Sequence, residues 1–270
     1  MNKKWLSFPY ILWAAGFIII PLAMVFYYGF TDRSGSFTLE NILAILSPEH
    51  RKALFLALLL SFISTAICIL LAYPLSMILA QMGNARNSFL VLIFILPMWM
   101  NFLLRTLAWQ TLLEKNGVIN SVLHFLHLPG ISIINTPAAI ILGMVYNFLP
   151  FMVLPIYNSL LKIDPNVINA ARDLGANGFQ TFLKVTLPLS LPGVISGITM
   201  VFVPALTTFV ISTLLGGSKI LLIGNVIEQE FTQSGNWNLG SGLSVVLMIF
   251  IVISIIFSTL SDQDGEGTAI

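Results

Sequence analysis

The chain has 270 residues, of which 57% are hydrophobic and only 9% are charged. Soluble globular proteins carry about 25% charged residues, so a soluble domain of this length would lack the polar side chains that cover its surface. The formal net charge of +1 excludes a protein that binds nucleic acid by neutralising phosphates. The single cysteine, Cys68, excludes a disulfide framework and a cysteine-rich metal site. The composition is that of an integral membrane protein.

Long segments without charged residues recur along the chain. A bilayer core about 30 Å thick is crossed by ~20 apolar residues in a helix, and a helix satisfies its own backbone hydrogen bonds. The sequence therefore predicts an all-α, polytopic protein with a transmembrane domain over 8–260, between an N-terminal segment 1–7 and a tail 261–270. The six predicted spans are about 8–30, 54–80, 88–112, 137–160, 190–214 and 243–260.

The basic residues do not fix the orientation of these spans. With the N-terminus in the cytoplasm, six Lys and Arg residues fall inside and six fall outside. The positive-inside rule needs an imbalance between the two sides, so it gives no answer here.

The segment between the fourth and fifth spans predicts two short helices joined by a tight turn. Asp164 is a good helix N-cap and Pro165 fits the first helical position. The helix is expected to end near Leu174, because Gly175 suits the left-handed position after a helix. A second helix is expected from about 178 to 187, before Pro188. From periodicity alone, an amphipathic connector on the membrane surface is the alternative to a binding segment.

This segment, NAARDLGA followed by V-T-L-P, resembles the EAA loop of ABC-transporter permeases. Asn169 stands where that family usually has Glu, and Val185 replaces Ile, so one electrostatic contact with the partner is missing. The resemblance implies that residues 164–188 lie in the cytoplasm and contact an ATPase, which places both termini inside. The residues that it implies for this contact are Asp164, Asn169, Ala170, Ala171, Asp173, Gly175, Leu187 and Pro188.

Other segments resemble spermidine/putrescine permeases, and GGSKILLIGN is most similar to the first of the two permeases in that group. The segments are PMWMNFLLRTLAW, GVIN, LPFMVLPIY and GGSKILLIGNVI. The resemblance implies polyamine uptake across the bacterial inner membrane. The implied partners are a second, homologous permease, two ATPase subunits and an extracytoplasmic polyamine-binding protein. Gly193 and Gly197 form a G-x-x-x-G pair in the fifth span, which is expected to pack closely against the second permease. ATP and Mg²⁺ would be used by the ATPase, with no cofactor in this chain.

No catalytic group or metal site emerges from the sequence. Gly216, Gly217, Ser218 and Lys219 only partly resemble a phosphate-binding loop, because the glycine spacing is wrong and an isoleucine follows the lysine. His124 and His127 are three residues apart and suit one helical face, but no Cys or carboxylate clusters with them. Loop or interface histidines are the favoured interpretation.

Polar and aromatic residues within aliphatic spans are candidates for a substrate pathway. Prolines 97, 150, 155 and 204 are expected to interrupt helices and free carbonyl oxygens. Aromatic faces attract cations with about 0.5–2 kcal/mol per contact. Lipid-facing or interface packing is the alternative for the aromatic residues, and a solvated loop charge is the alternative for the glutamates. The candidates are Trp99, Asn101, Trp109, Tyr146, Asn147, Glu228 and Glu230.

Two other functions stay open at this point. The chain could serve a different small solute within the same ABC family. It could also be an ion-coupled secondary carrier, although such carriers usually hold an acidic residue near mid-membrane and the six predicted span interiors contain none.

Overall fold

Long apolar helices dominate the computed structural model, which describes residues 8–82, 93 and 96–266. The expected all-α class is confirmed: within these residues the only β contact is an isolated bridge between Thr31 and Phe37. Five helical stretches are long and apolar enough to cross a membrane. They are Leu12–Gly29, Pro48–Gln81, Pro137–Leu161, Gly178–Thr207 and Trp237–Ile256.

The helices of the described residues follow one another along the chain. In order they are α1 (Phe8–Ala14), α2 (Ile20–Gly29), α3 (Glu40–Leu43), α4 (Pro48–Gln81), α5 (Phe102–Leu113), α6 (Val118–Phe125), α7 (Pro137–Leu161), α8 (Pro165–Asp173), α9 (Gly178–Thr181), α10 (Leu187–Thr207), α11 (Val210–Gly216), α12 (Ile223–Thr232) and α13 (Trp237–Glu266). Single π-helical turns join α1 to α2 at Ala15–Ile19 and α9 to α10 at Phe182–Thr186.

The first, second, fourth and sixth predicted spans each coincide with one continuous helical stretch. The second and the sixth are longer than expected, since α4 begins at Pro48 and α13 runs from Trp237 to Glu266. The third predicted span, 88–112, lies partly outside the described residues. Its described part contains a 3₁₀ turn at Leu96–Trp99 and then α5. Residues 1–7 and 267–270 of the predicted end segments also lie outside.

The fifth span differs from the prediction of 190–214. The stretch expected as a separate second helix is instead the beginning of the fifth membrane helix, which runs from Gly178 to Thr207. Pro188 does not end it, because it follows directly after the π-helical turn at Phe182–Thr186, where the regular α-helical bonding is already interrupted, and the helix continues through it. The helix ends instead at Thr208, whose extended backbone (ψ 134°) separates α10 from α11.

Three of the four candidate prolines lie inside continuous helices. Pro150 and Pro155 lie inside α7 and Pro204 lies inside α10, and both helices continue through them. Only Pro97 lies outside a long helix, in the 3₁₀ turn before α5. The prediction that all four prolines interrupt helices was therefore wrong for three of them.

The centre of the molecule is a bundle of α4, α7 and α10. α7 contributes buried residues along its whole length, from Ala139 to Leu160, whereas α2 buries only Gly29, which packs against α13. Cys68 is a free thiol in this core.

Two glycines of α10 explain how closely the central helices approach. A Cβ on Gly193 would lie 2.5 Å from the Ser159 Cβ and 2.6 Å from the Pro155 carbonyl oxygen. A Cβ on Gly197 would lie 2.6 Å from the Met152 Sδ. The G-x-x-x-G spacing was expected to pack against a partner permease, but it packs against α7 of the same chain.

Candidate functional site

The 164–188 segment begins with a short, well-capped helix. The Asp164 carboxylate accepts a hydrogen bond from the Asn166 backbone N–H at 2.9 Å, and Pro165 opens α8, as predicted. At the other end, Gly175 has a left-handed backbone with φ +87°. Its N–H donates to the Arg172 carbonyl, and the next N–H, of Ala176, donates to the Ala171 carbonyl at 3.0 Å. This pair of bonds is a Schellman motif, which ends α8 sharply.

A second cap fixes the start of the next helix. The Gln180 N–H donates to the Asn177 side chain at 2.9 Å, and the Asn177 N–H donates back to the Gln180 side chain at 3.0 Å. This reciprocal capping box orients α9 immediately after α8. The turn between them is therefore a fixed corner and not a loose connection.

One face of α8 is open to solvent and the other covers a cavity. α8 contains no buried residue, and Leu174 beside its end is 90% exposed. On the other face, Ile168 and Arg172 line a cavity of about 340 Å³, which the ends of α4 and α7 close from the membrane side. Among the other predicted residues, Asn169, Ala170, Asp173 and Pro188 are exposed, while Ala171 and Leu187 are half-buried.

Four of the predicted pathway residues lie on or beside α5 and α7. Trp109 and Tyr146 pack edge to face with ring centroids 5.2 Å apart. Asn101 caps α5 by accepting the N–H groups of residues 103 and 104. Trp99, in the turn before α5, is 74% exposed.

A buried arginine lies against this aromatic pair. Arg105 is 6% exposed, and its guanidinium carbon is 5.9 Å from the Tyr146 ring centroid. One of its terminal nitrogens donates to the Pro97 carbonyl at 2.7 Å. The Tyr146 ring therefore already has a cation on one face.

Asn147 does not join the aromatic residues. It is 1% exposed and its amide donates to the Gly143 carbonyl at 2.8 Å within α7. The neighbouring residue 146 faces Arg105, and consecutive helical residues point about 100° apart, so Asn147 points into the bundle instead. Its Oδ1 has no hydrogen-bond partner within the described residues.

The two glutamates of α12 line different cavities. Glu230 lines a cavity of about 350 Å³ at the start of α4, together with Glu49, His50, Lys52 and Lys219. Glu228 lines a mainly apolar cavity of about 420 Å³ between α12, α13 and the end of α10. Residues two apart on a helix do not face the same side, which explains the separation. The sequence analysis gave both as candidates for the same pathway, and the structure does not bring them together.

Asn225 is a structural residue that the sequence analysis missed. It is 2% exposed, and its Oδ1 accepts from the Ser212 hydroxyl and from the Leu222 N–H at 3.1 Å. Its amide nitrogen donates to the Phe209 carbonyl at 3.1 Å and to the Thr213 hydroxyl at 2.8 Å. These bonds hold α12 against the break between α10 and α11. The sequence feature that indicates this role is a single amide side chain within the otherwise apolar run 220–227.

The two histidines do not share a helical face. α6 ends at Phe125, so His124 lies in its last turn, whereas His127 follows the helix with a left-handed backbone (φ 57°). Within the described part of the chain, no group of three His, Cys, Asp or Glu side chains is placed to hold a metal ion.

The family of the chain follows from its sequence match. A family model described as "Binding-protein-dependent transport system inner membrane component" matches residues 72–263, which include the 164–188 segment and α12. The chain belongs to this family. It is thus the permease subunit of an ABC importer. Of the two classes that the sequence left open, this is the ABC permease and not the ion-coupled secondary carrier.

Curated relatives cover nearly the whole permease. It is 38% identical over 252 residues to the spermidine/putrescine transport system permease protein PotB of Haemophilus influenzae, covering 90% of this chain and 88% of that protein. It is 37% identical over 245 residues to the PotB protein of Escherichia coli, covering 88% of this chain and 89% of that protein. The inner membrane ABC transporter permease protein YdcU of Escherichia coli is 30% identical over 82% of this chain and 74% of its own length.

Solved structures show the same fold for the permease. A bacterial ABC transporter that imports the acidic polysaccharide alginate matches with a TM-score of 0.81 at 16% identity, over 97% of this chain and 96% of that chain. The methionine ABC transporter MetNI, in an inward-facing conformation, matches with a TM-score of 0.58 at 20% identity, over 81% of this chain and 98% of that chain. At these identities the likeness concerns the fold alone.

Proposed function

We propose that this permease imports polyamines of the spermidine and putrescine type. The observation that supports this most directly is the 37–38% identity to two PotB proteins over about nine tenths of the chain. The identity extends through the spans, where a permease selects its solute, and is not confined to the 164–188 segment that many importers would share. Another small solute of the same family is the alternative.

The proposed orientation places the 164–188 segment and both chain termini in the cytoplasm of a bacterial inner membrane. α4 is 34 residues long, which corresponds to about 50 Å, enough to cross a bilayer and reach both surfaces. The cavity under α8 includes Gln81 at the end of α4, whereas the cavity of Glu230 includes Glu49 at its start. The two sites therefore lie at opposite ends of the bundle, and the Glu230 cavity is outside when α8 is inside.

In the proposed complex, α8 and its capped ends contact the ATPase subunit. A large apolar side chain such as Leu174, nearly fully exposed beside a helix with no buried residue, suits a partner surface. ATP and Mg²⁺ belong to that subunit, and this chain supplies the surface on which its movement acts. Asn169 replaces the carboxylate of the usual motif, so the contact depends on shape and on the exposed apolar residues.

The proposed assembly has four further components: a second permease, two ATPase subunits and an extracytoplasmic polyamine-binding protein. The proposed substrate pathway passes two places. The exposed Trp99 offers an aromatic face to the cation, and the Glu230 cavity offers a carboxylate. Tyr146 and Trp109 contribute less to cation binding, because Arg105 already occupies the Tyr146 ring and would repel a second positive charge. Asn101 has a structural role at the start of α5, and Asn147 has one in the interior of α7.

The test is replacement of PotB in Escherichia coli cells that have no other polyamine uptake system. We expect this permease to restore uptake of radiolabelled spermidine and putrescine, dependent on ATP and on the binding protein. The control is the same chain produced without the partner ATPase, which should insert in the membrane but transport nothing. If a complex forms and hydrolyses ATP but neither polyamine enters, the proposed substrate class is wrong; uptake driven by an ion gradient without ATP would contradict the proposed energy source.

A further inference from the structure

We propose that the cavity beside Glu228 is a binding site for an alkylammonium group within the permease itself. This inference rests on the proposed function, because it assigns to one cavity the task of holding the polyamine after release from its delivery protein. The site would combine one carboxylate with aromatic faces and aliphatic walls, at the point where the fifth membrane helix is broken.

The cavity wall matches the chemistry of a polyamine, which alternates ammonium groups with methylene chains. Its volume of about 420 Å³ falls within the usual range for small-ligand sites. Among the described residues that line it, Glu228 is the only ionisable one. The others are aromatic, aliphatic or small and polar, and they include Phe209, Phe231, Thr207, Thr232, Ser244, Leu247, Met248 and Ile251.

The Glu228 carboxylate is already oriented within this wall. The Thr232 hydroxyl, one helical turn further along α12, lies 2.9 Å from the Glu228 Oε1 and 2.8 Å from the Glu228 carbonyl oxygen, and shares its single hydrogen between them. This contact orients the carboxylate and leaves its second oxygen for a ligand. The residue is half-buried in mainly apolar surroundings, where an anion without a cation is costly. A bound ammonium group supplies that cation.

The helix break places further negative potential at the same cavity. α10 ends at Thr207, and the C-terminal end of a helix carries a partial negative charge. The Thr207 and Thr208 carbonyl oxygens point toward α12, since a Cβ on Gly224 would lie only 2.8 and 3.1 Å from them. The Asn225 bonds to Phe209 and to neighbouring residues hold this arrangement in place.

The position along α13 places the cavity within the membrane. Ser244 and Ile251 lie 7 and 14 residues after the start of α13 at Trp237, so they lie about 10 and 21 Å along the helix. In the proposed orientation, these depths lie on either side of the middle of a bilayer core about 30 Å thick. The Glu230 cavity, in contrast, lies at the start of α4 and holds Lys52 and Lys219 beside Glu49 and Glu230, so its formal charges balance. It therefore suits passage of the cation at the outer surface, whereas the Glu228 cavity, with one unbalanced carboxylate, suits binding at depth.

The test is binding of radiolabelled spermidine and putrescine to the purified complex in lipid nanodiscs, without the binding protein. Glu228→Gln should weaken the binding of both by about tenfold or more, because one charge-assisted contact is lost. Phe209→Leu should weaken it by about two- to fivefold through the loss of a cation–π contact. The matched control is Glu40→Gln, which removes an exposed carboxylate at the same end of the molecule outside this cavity and should change binding less than twofold.

Glu228→Asp provides a second variant if Glu228→Gln assembles poorly. It keeps the charge on a shorter side chain, so it should bind better than Glu228→Gln and less well than the parent. If the parent complex transports both polyamines and the Glu228 and Phe209 variants bind them as well as the parent does, the cavity assignment is wrong and the proposed function stands. An equal loss in Glu40→Gln would also overturn it, by showing a general surface-charge effect. If the parent complex neither binds nor transports polyamines, both proposals fail.

Discussion

The Tyr73 hydroxyl lies 2.6 Å from the Ser190 Oγ and joins α4 to α10 next to the 164–188 segment. The Ser190 hydroxyl donates to the Leu187 carbonyl at 3.0 Å, so its hydrogen is used there and Tyr73 is the donor in the shared bond. The Tyr73 ring also packs edge to face against Phe182, with centroids 5.6 Å apart. Tyr73 therefore connects the core of the bundle with the helix that follows the proposed ATPase contact.

Removal of the Tyr73 hydroxyl should be milder than removal of its acceptor. Tyr73→Phe keeps the ring and leaves Ser190 bonded to Leu187, so we expect a loss of about 1 kcal/mol in the free energy of unfolding. Ser190→Ala leaves a buried tyrosine hydroxyl without its partner and should cost about 1–3 kcal/mol. Unfolding of the purified permease in mixed micelles would measure both. The double variant should resemble Tyr73→Phe alone; simple addition of the two losses would show that the pair is not coupled.

Gly175 should be required for coupling and not for insertion. Its φ of +87° is costly for any residue with a Cβ and most costly for a β-branched one, although no atom lies within 4 Å of the added Cβ. Gly175→Val should therefore distort the corner after α8 and reduce substrate-stimulated ATPase activity several-fold in the reconstituted complex. Gly178→Ala is the control, because its Cβ also meets nothing and its φ is not in the left-handed region. Normal substrate-stimulated ATPase activity in Gly175→Val would show that this corner is not needed for coupling.

Gly193 should be required for stability. A Cβ at this position would overlap the Ser159 Cβ and the Pro155 carbonyl oxygen, so α7 and α10 would have to separate. Overpacking of this kind costs about 1–3 kcal/mol, and Gly193→Ala should lower the apparent melting temperature of the purified permease. Gly16→Ala, where no atom lies within 4 Å of the added Cβ, should leave it unchanged. If Gly193→Ala instead leaves the melting temperature intact but dissociates the second permease, the sequence-based assignment of this glycine pair to a subunit contact would be restored.

Asn225 should control the order of the segment after the helix break. Asn225→Ala leaves the buried Leu222 N–H without its acceptor, at a cost of about 1–3 kcal/mol in the free energy of unfolding. It also removes the amide N–H groups that donate to the Phe209 carbonyl and the Thr213 hydroxyl. Hydrogen exchange should therefore become faster in α11 and α12 while α4 keeps its protection. The same exchange pattern in variant and parent would mean that packing alone holds α12 in place.

The sequence by itself predicted most of the long apolar helices and both ends of α8. A bilayer requires about 20 apolar residues per helix and tolerates few charges, so the gaps between charged residues locate the spans with little reference to tertiary structure. The caps at Asp164 and Gly175 were also predictable, because N-caps and left-handed glycines depend on bonds between residues close in sequence.

The tertiary structure alone decided which faces of the spans meet. Hydropathy cannot separate a face that contacts lipid from one that contacts another helix, because both surroundings are apolar. For this reason Gly193 and Gly197 were assigned to a partner subunit although they pack on α7. Glu228 and Glu230 were candidates for the same pathway, whereas the fold of α12 against α4 and α13 places them in separate cavities. The break after the fifth helix at Thr208 is joined to α12 by long-range bonds from Asn225, and such bonds form only when the chain is folded.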